Sequence, residues 1–252
     1  MKTATIILAA GKGTRMRSDL PKVVFEIAGV PMINRVISTA REIESERIIV
    51  VIGYGREIVK SVIEPDERIF FAVQEPQNGT GHAIMVCREA MQGFNGIIFI
   101  LYGDVPLLKA STLRKMYMIH QKEKAACTVL TAIPDDPLQY GRIIRDSVGG
   151  FEKIVEHKDA NAQQKKINEI NTGIYCFNSA DLFQSVSLLK TNNSQGEYYL
   201  TDTLEILKKQ GMHISTFILN NVLEASGVNS PEQLRELEIE LLKENEEVAD
   251  NV

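Results

Sequence analysis

Leu8-Ala9-Ala10-Gly11-Lys12-Gly13-Thr14-Arg15-Met16, followed by Ser18 and Pro21-Lys22, is the stretch whose reading decides the fold. It follows the apolar run Ala4–Leu8, which reads as a buried parallel strand. A strand that breaks into small residues and two glycines suits a loop whose backbone N–H groups face an anion. Gly11 and Gly13 are expected to let the backbone approach a polyphosphate closely and to adopt positive φ. Arg15 and Lys22 add two fixed positive charges. The combination points to a nucleoside triphosphate. Two better-known phosphate loops are excluded. A Walker A loop ends in Gly-Lys-Ser/Thr, whereas Lys12 is followed by Gly13; a dinucleotide fingerprint needs a small sixth residue, where Met16 stands.

Working outward, Pro31-Met32-Ile33 leads into an amphipathic stripe at Ile33, Val36, Ile37, Ala40 and Ile43 that predicts a helix. Arg47–Ile52 is a continuous β-branched run, as in a strand covered on both faces. Helix is expected over Glu57–Ile63 and Gly79–Met91, and strand over Arg68–Val73 and Ile97–Leu101. This alternation predicts an α/β, doubly wound, mostly parallel sheet whose ligand sits outside the carboxyl ends of the strands. Further on, Ala126–Ile133 reads as a strand, Asp135–Arg142 as a loop returning toward the site, and Arg142–Arg145 with Phe151–Val155 as a hairpin around Gly149-Gly150. Ile174–Phe177 and Ser215–Leu219 are also expected as strands. An amphipathic helix runs through Leu207. Pro231–Glu247 is a last helix with a Ser230 cap, followed by a polar tail over Ala249–Val252.

Two motifs fall at strand ends. In Gln74-Glu75-Pro76-Gln77-Asn78-Gly79-Thr80-Gly81-His82-Ala83, two glutamines offer the donors and acceptors that a pyrimidine edge requires. Gly79 and Thr80 would open a helix and bring free backbone N–H groups to the site; a plain polar loop with an Asn-Gly turn fits the same residues. His82 reads as a capping or packing group. In Tyr102-Gly103-Asp104-Val105-Pro106-Leu107, Asp104 at a strand tip is placed to hold Mg2+, whose octahedron substrate phosphates and waters would complete; a turn or N-cap aspartate is the competing reading. Glu156-His157-Lys158-Asp159 reads on its own as a solvated charged face.

Composition sets the outer bounds. The chain has 252 residues, enough for one large domain or one domain with a small appendage. The formal net charge of −5 argues against a general nucleic-acid binder. No apolar run approaches the ~20 residues of a membrane span, and no signal-peptide pattern precedes the first strand. Cys87, Cys127 and Cys176 are few and far apart, which suits buried, reduced cysteines in a cytoplasmic protein.

Taken in order, LAAGKGTRM, SDLPKV, QEPQNGTGHA, YGDVPL, YGR, IVEHKDA, EINTGIY, QGEYYLTD and GVN resemble the uridylyltransferase domain of bacterial UDP-N-acetylglucosamine pyrophosphorylases, enzymes of cell-wall precursor synthesis. The resemblance covers about residues 3 to 230. It implies a Rossmann-like sheet of the nucleotide-diphospho-sugar transferase type with a small sugar-binding β lobe. The nucleotidyltransferase domain would span residues 1–229, with 230–252 as a C-terminal helix and tail. It further implies that Leu8, Ala10, Gly11, Gly13, Gln74, Gln77, Gly79 and Thr80 contact the nucleotide, with Arg15 and Lys22 as the catalytic cations. Tyr102, Gly141, Glu156, Asn171 and Tyr199 would hold the sugar, and Asp104 and Asn229 would bind Mg2+. The implied substrates are UTP and N-acetylglucosamine-1-phosphate, with no nucleic acid or membrane partner. Bifunctional members continue into a left-handed β-helix that transfers acetyl groups, and that activity is not expected here. The rival readings are a nucleotidyltransferase for another base or sugar, a glycosyltransferase, which would more naturally carry an Asp-x-Asp pair, and an inactive nucleotide-sugar-binding module.

Overall fold

The computed structural model describes residues 2–137 and 139–249. Its elements are β1 (Thr3–Leu8), β2 (Glu26–Ile27), β3 (Val30–Pro31), α1 (Met32–Glu42), β4 (Arg47–Ile52), α2 (Arg56–Ser61), β5 (Ile69–Val73), α3 (Thr80–Met85), β6 (Ile97–Tyr102) and α4 (Ala110–Glu123). They continue as β7 (Cys127–Ala132), β8 (Arg142–Arg145), β9 (Phe151–Val155), β10 (Ile170–Asn178), α5 (Ser179–Val186), α6 (Asp202–Lys209), β11 (Ile214–Ile218) and α7 (Pro231–Ala249).

The main sheet runs β11-β7-β10-β6-β1-β4-β5. β1 lies between β4 and β6, parallel to both, with Leu8 opposite Val51 on one side and Tyr102 on the other. The chain steps from β1 outward to β4 and β5, then returns to the far side of β1 to place β6. That reversal makes a crevice beyond the ends of β1 and β6, the place where open α/β sheets take their ligands. The first loop and the Tyr102–Leu107 turn both open into it. β10 is antiparallel to both β6 and β7. The β8–β9 hairpin joins only the start of β10, through Arg142 opposite Ile170, so it stands away from the main sheet as a small β lobe.

Both faces of the sheet are covered. Ile7, Val50, Phe99 and Leu101 pack with the apolar stripes of α1 and α4; Ile6, Leu8, Ile49, Val51, Ile98 and Ile100 pack with α3, α5 and α6. Alternate residues of one strand feeding opposite cores explains why these strands read as unbroken apolar runs. α7 sits in a third cluster, where Leu237 joins Met16, Ile27, Met32 and Val228, with Leu234 and Leu241 against them. Its start is capped as expected: Ser230 Oγ accepts from the Gln233 amide at 3.3 Å. No helix among the described residues is long and apolar enough to cross a membrane.

Several boundaries differ from the sequence expectation. The helix expected over Gly79–Met91 ends at Met85. Beyond it the amides of Cys87, Arg88 and Gln92 bond three residues back, to Ile84, Met85 and Glu89, so the chain tightens into turns while Cys87 and Met91 stay buried. The Ile174–Phe177 strand extends to Ile170–Asn178. α4 and α5 were not anticipated. Ala249, expected in a polar tail, belongs to α7; the rest of that expectation, and Leu138 of the Asp135–Arg142 loop, lie outside the described residues.

Candidate functional site

Two cavities open into each other in the crevice. The first, about 420 Å³, is lined by the end of β1 and the loop after it (Leu8, Ala10, Gly11), by Lys22, and by Gln74, Gln77, Gly79 and Thr80. The second, about 280 Å³, lies between the sheet and the β8–β9 lobe. Tyr102, Gly141, Glu156, Asn171 and Tyr199 all face it. Thr80, Tyr102, Asp104, Glu197 and Asn229 line both. The nucleotide-side residues other than Gly13 therefore line the first chamber and the sugar-side residues the second, with Thr80 and Tyr102 in both and the two metal candidates at the junction.

In the first chamber, buried Gln74 donates from Nε2 to the Gly79 carbonyl at 2.9 Å, and that nitrogen lies 3.5 Å from His82 Nδ1. His82 thus steadies a glutamine, the packing role expected of it. Gln77 Nε2 donates to the Ala10 carbonyl at 3.4 Å, tying the second motif to the first loop. Gly79 has φ 96°, and a Cβ on it would lie 2.6 Å from the Tyr198 carbonyl, so only glycine allows the approach. The same approach uses an N–H expected to be free, because Gly81 N donates to Tyr198 O at 2.7 Å. With Tyr198 N to Asn78 O (2.9 Å) and Leu200 N to Thr80 Oγ1 (3.0 Å), this lacing joins the walls of the two chambers.

The two glycines of the first loop part company. Gly13 has φ 68°, whereas Gly11 lies outside the positive-φ region, contrary to expectation. A Cβ on Gly11 would meet nothing within 4 Å; one on Gly13 would come 2.5 Å from Lys22 Cβ. Gly13 therefore lies behind Lys22 rather than in the chamber wall. Arg15 likewise lines neither chamber; it stands in a neighbouring cavity of about 300 Å³ with Gln139, Tyr140, Asn229 and Gln233.

At the junction, Lys22 Nζ donates to Asp104 Oδ2 in a short contact and to Asn229 Oδ1 at 2.8 Å. Arg15 Nη2 donates to the same Asn229 oxygen at 2.9 Å. Asn229 is held in turn by its own segment: Val228 N donates to the Asp104 carbonyl at 2.9 Å, and Asn229 N to Gln233 Oε1 at 2.8 Å. One carboxylate and one amide oxygen converging on a cation are a hard-donor set suited to Mg2+. Among the described residues no group of three or more His, Cys, Asp or Glu could hold a metal, so phosphates and waters would have to supply the remaining ligands.

The sugar-side chamber is rich in groups that bond hydroxyls and amides. Glu156 Oε1 accepts from Thr201 Oγ1 at 3.1 Å, and burial pushes its carboxyl above the usual range. The residue read as part of a solvated face is therefore half-buried in a chamber wall. Asn171 Nδ2 donates to Tyr175 OH at 2.7 Å, and its Oδ1 accepts from Gly173 N. Burial, with Glu156 and Asp104 nearby, pushes the Tyr102 phenol well up, so it stays a neutral donor. The Tyr199 hydroxyl accepts from Gln195 Nε2 at 2.8 Å and lies 3.3 Å from Asp159 Oδ2. Glu197, Gln139, Tyr140 and Gln195 also line the site and were not singled out as site residues. The loop over Asp135–Arg142 and the motif QGEYYLTD contain them, but no periodicity could pick them out, because both segments are loops.

The family model for nucleotidyl transferases matches residues 4–222. The Bifunctional protein GlmU of Clostridium novyi (strain NT) is 46% identical over 238 residues, which is 94% of this chain and 52% of that protein. The Enterococcus faecalis (strain ATCC 700802 / V583) protein of the same name is 46% identical over 224 residues, 89% and 48% of the respective lengths. The chain spans about half the length of the curated relatives it matches. Among solved structures, a UDP-glucose pyrophosphorylase complexed with UDP-glucose superposes with a TM-score of 0.78 at 21% identity, covering 97% of this chain and 100% of that one. A putative glucose-1-phosphate thymidylyltransferase from Bacillus anthracis gives 0.73 at 19%, with 94% of each chain covered. At that identity the likeness speaks for the fold.

Proposed function

This chain belongs to the nucleotidyl transferase family, and we propose that within it the chain transfers UMP from UTP to N-acetylglucosamine-1-phosphate, releasing pyrophosphate. The observation that carries the reading is the joining of two chambers, one fitted for a base and phosphates and one for a polyol, at Lys22, Asp104 and Asn229. The choice of uracil and N-acetylglucosamine follows the resemblance of the motifs to uridylyltransferase domains, and the similarity to the GlmU proteins supports it.

In this reading Gln74 and Gln77 hold the uracil edge, and the backbone from Leu8 to Gly11 with Gly79 and Thr80 lines the nucleotide. Glu156, Asn171 and Tyr199, with Tyr102 and Gly141, hold the sugar hydroxyls and acetamido group. A sugar-phosphate oxygen attacks the α-phosphorus in line; a new P–O bond forms as the bond to the β-phosphate oxygen breaks, and the electron pair leaves with pyrophosphate. A phosphate monoester is anionic at neutral pH, so no general base is required. The obstacle is repulsion between two polyanions, and each unit charge opposed at 4 Å is worth about 4 kcal/mol at an effective dielectric near 20. Lys22 and Arg15 supply two of the opposing charges, and positioning with charge neutralisation carries the rate. Asp104 and Asn229 would hold Mg2+, which when bound adds further neutralisation of the phosphate oxygens. A place in nucleotide-sugar supply for cell-wall peptidoglycan, in the cytoplasm, is part of the same proposal; its three cysteines are free and buried.

Pyrophosphate release with Mg2+, measured across nucleoside triphosphates and sugar-1-phosphates, tests it. Release with UTP and N-acetylglucosamine-1-phosphate is the expected result. Release with another pair overturns the base or sugar assignment, and none from folded protein overturns the activity.

A further inference from the structure

Asp104 and Asn229 each turn one oxygen toward the same point, and the Lys22 ammonium bonds both of them there. Lys22 and Asp104 are only 15% and 16% exposed there, and Arg15 takes a further lone pair of the Asn229 oxygen. A Mg2+ held by these two oxygens would take the point on which they converge. An ammonium and a divalent cation cannot share it, on volume or on charge.

We infer that Lys22 is a latch on the cation site: its ammonium caps the Asp104 and Asn229 oxygens until a triphosphate draws it away, so the divalent ion enters with the nucleotide and not before it. The inference rests on the reading of Asp104 and Asn229 as metal ligands. The side chain is suited to the task. Gly13 packs against Lys22 Cβ, which fixes the root of the side chain, while the four-carbon stem leaves the charged tip free to swing. Lys22 also lines the nucleotide chamber itself, so phosphates bound there lie within its reach without any backbone movement. A site with one carboxylate competes poorly with water for Mg2+, and an internal cation raises that threshold further until phosphate oxygens are at hand. Metal and nucleotide then favour each other's binding, and the coupling is reciprocal.

The test uses Mn2+ alone as probe, without nucleotide, followed by the electron paramagnetic resonance signal of the free ion or by calorimetry. K22M keeps most of the stem and removes the charge; K22Q repeats the measurement in case methionine does not fold there. The expected result is Mn2+ binding at least about tenfold tighter than in the parent chain, with the gain abolished in the K22M/D104N double variant. Equal or weaker binding by K22M overturns the latch. So does a gain that survives D104N, since the ion then lies elsewhere. Failure of the underlying reading shows separately: if D104N turns over with an unshifted Mg2+ requirement, Asp104 is not a ligand, whatever the Mn2+ data give.

Discussion

Alanine substitutions at the two glycines of the first loop should have opposite consequences, because the backbone and surroundings of the two positions differ. At Gly13, φ is 68° and the added Cβ would stand 2.5 Å from Lys22 Cβ. Holding a non-glycine residue in left-handed backbone costs about 1–2 kcal/mol. Carbon atoms pack at roughly 3.5–4.0 Å, so the overlap must also be relieved by about 1 Å. The colliding atom is the root of the lysine and cannot rotate out of the way, so the loop or the lysine stem has to move. Nζ moves with it, off the Asp104 and Asn229 oxygens. G13A should therefore lower Tm by roughly 2–8 °C in a chain of this size and cut kcat by on the order of 10²-fold, the usual result of a 1 Å misplacement. At Gly11 the Cβ meets no atom and φ is ordinary, so G11A should melt like the parent. Gly11 does line the nucleotide chamber, and its methyl would intrude on the ligand, raising KM for UTP. Thermal melts and pyrophosphate-release kinetics on the pair decide the matter. A G13A enzyme with kcat within about twofold of the parent, or a G11A protein as destabilised as G13A, would refute the placing of Gly13 behind Lys22.

Arg15→Ala should lose roughly 10²–10³ in kcat with a much smaller change in KM, since charge on the departing pyrophosphate grows toward the transition state; equal losses in both would sink that role. Asp104→Asn should raise the Mg2+ concentration for half-maximal rate by at least about tenfold, read from a metal titration of turnover. Burial lifts the Asp202 carboxyl from 3.8 up to about 6, with Glu205 and Asp159 adding to it. A carboxyl raised on folding favours the native state while protonated, so its contribution is full below pH 3.8 and is lost as pH rises through about 6. Wholly enclosed, the shift would be worth ~3 kcal/mol; for a half-exposed group about 1 kcal/mol is realistic. Asp202→Asn should therefore gain about 1 kcal/mol in urea unfolding at pH 7.5 and nothing at pH 3.5, and a pH-independent difference would contradict it.

Legibility in the sequence followed the range of the interactions involved. β1, β4, β6 and the β8–β9 hairpin were readable because the signal is local: apolar runs fill two cores at once, and the turn between β8 and β9 carries its own Gly149-Gly150. α4 was missed although it is long, because its exposed face and its buried Leu113, Met116 and His120 give only a weak stripe. α5 is short and follows β10 without a break. In the site, the position of Asp104 was legible from a local argument, a carboxylate just past the end of the buried strand β6. Glu156 was not, because a charged run reads as solvated until the β8–β9 lobe is seen folding over it. Gly11 was assigned a backbone conformation that only Gly13 adopts, and sequence offers no way to tell neighbouring glycines apart.

What the local signals could not reveal is that the site is closed by its most distant residues. Asn229 meets Arg15 and Lys22 across 214 and 207 positions of chain. Just upstream, buried Glu224 accepts from Thr112 Oγ1 at 2.5 Å and from the Lys109 amide at 3.3 Å, anchoring the segment before Asn229 to the start of α4. Downstream, α7 pins the same segment through Leu237 in the cluster with Met16 and Val228, and Glu238 accepts from the Ala28 amide at 2.6 Å. Asn229 is thus the midpoint of a strap fastened at both ends to the face that carries the first loop. Each fastening is an ordinary carboxylate or leucine with no periodicity to announce it, and loop closure over two hundred residues adds only slowly to the entropic cost. The two oxygens that meet at Lys22 are therefore positioned by different parts of the chain, one by a β-strand end and one by this strap. Loosening the strap should shift Asn229 while leaving Asp104 in place, which is why the convergence of these two side chains, rather than either alone, defines the site.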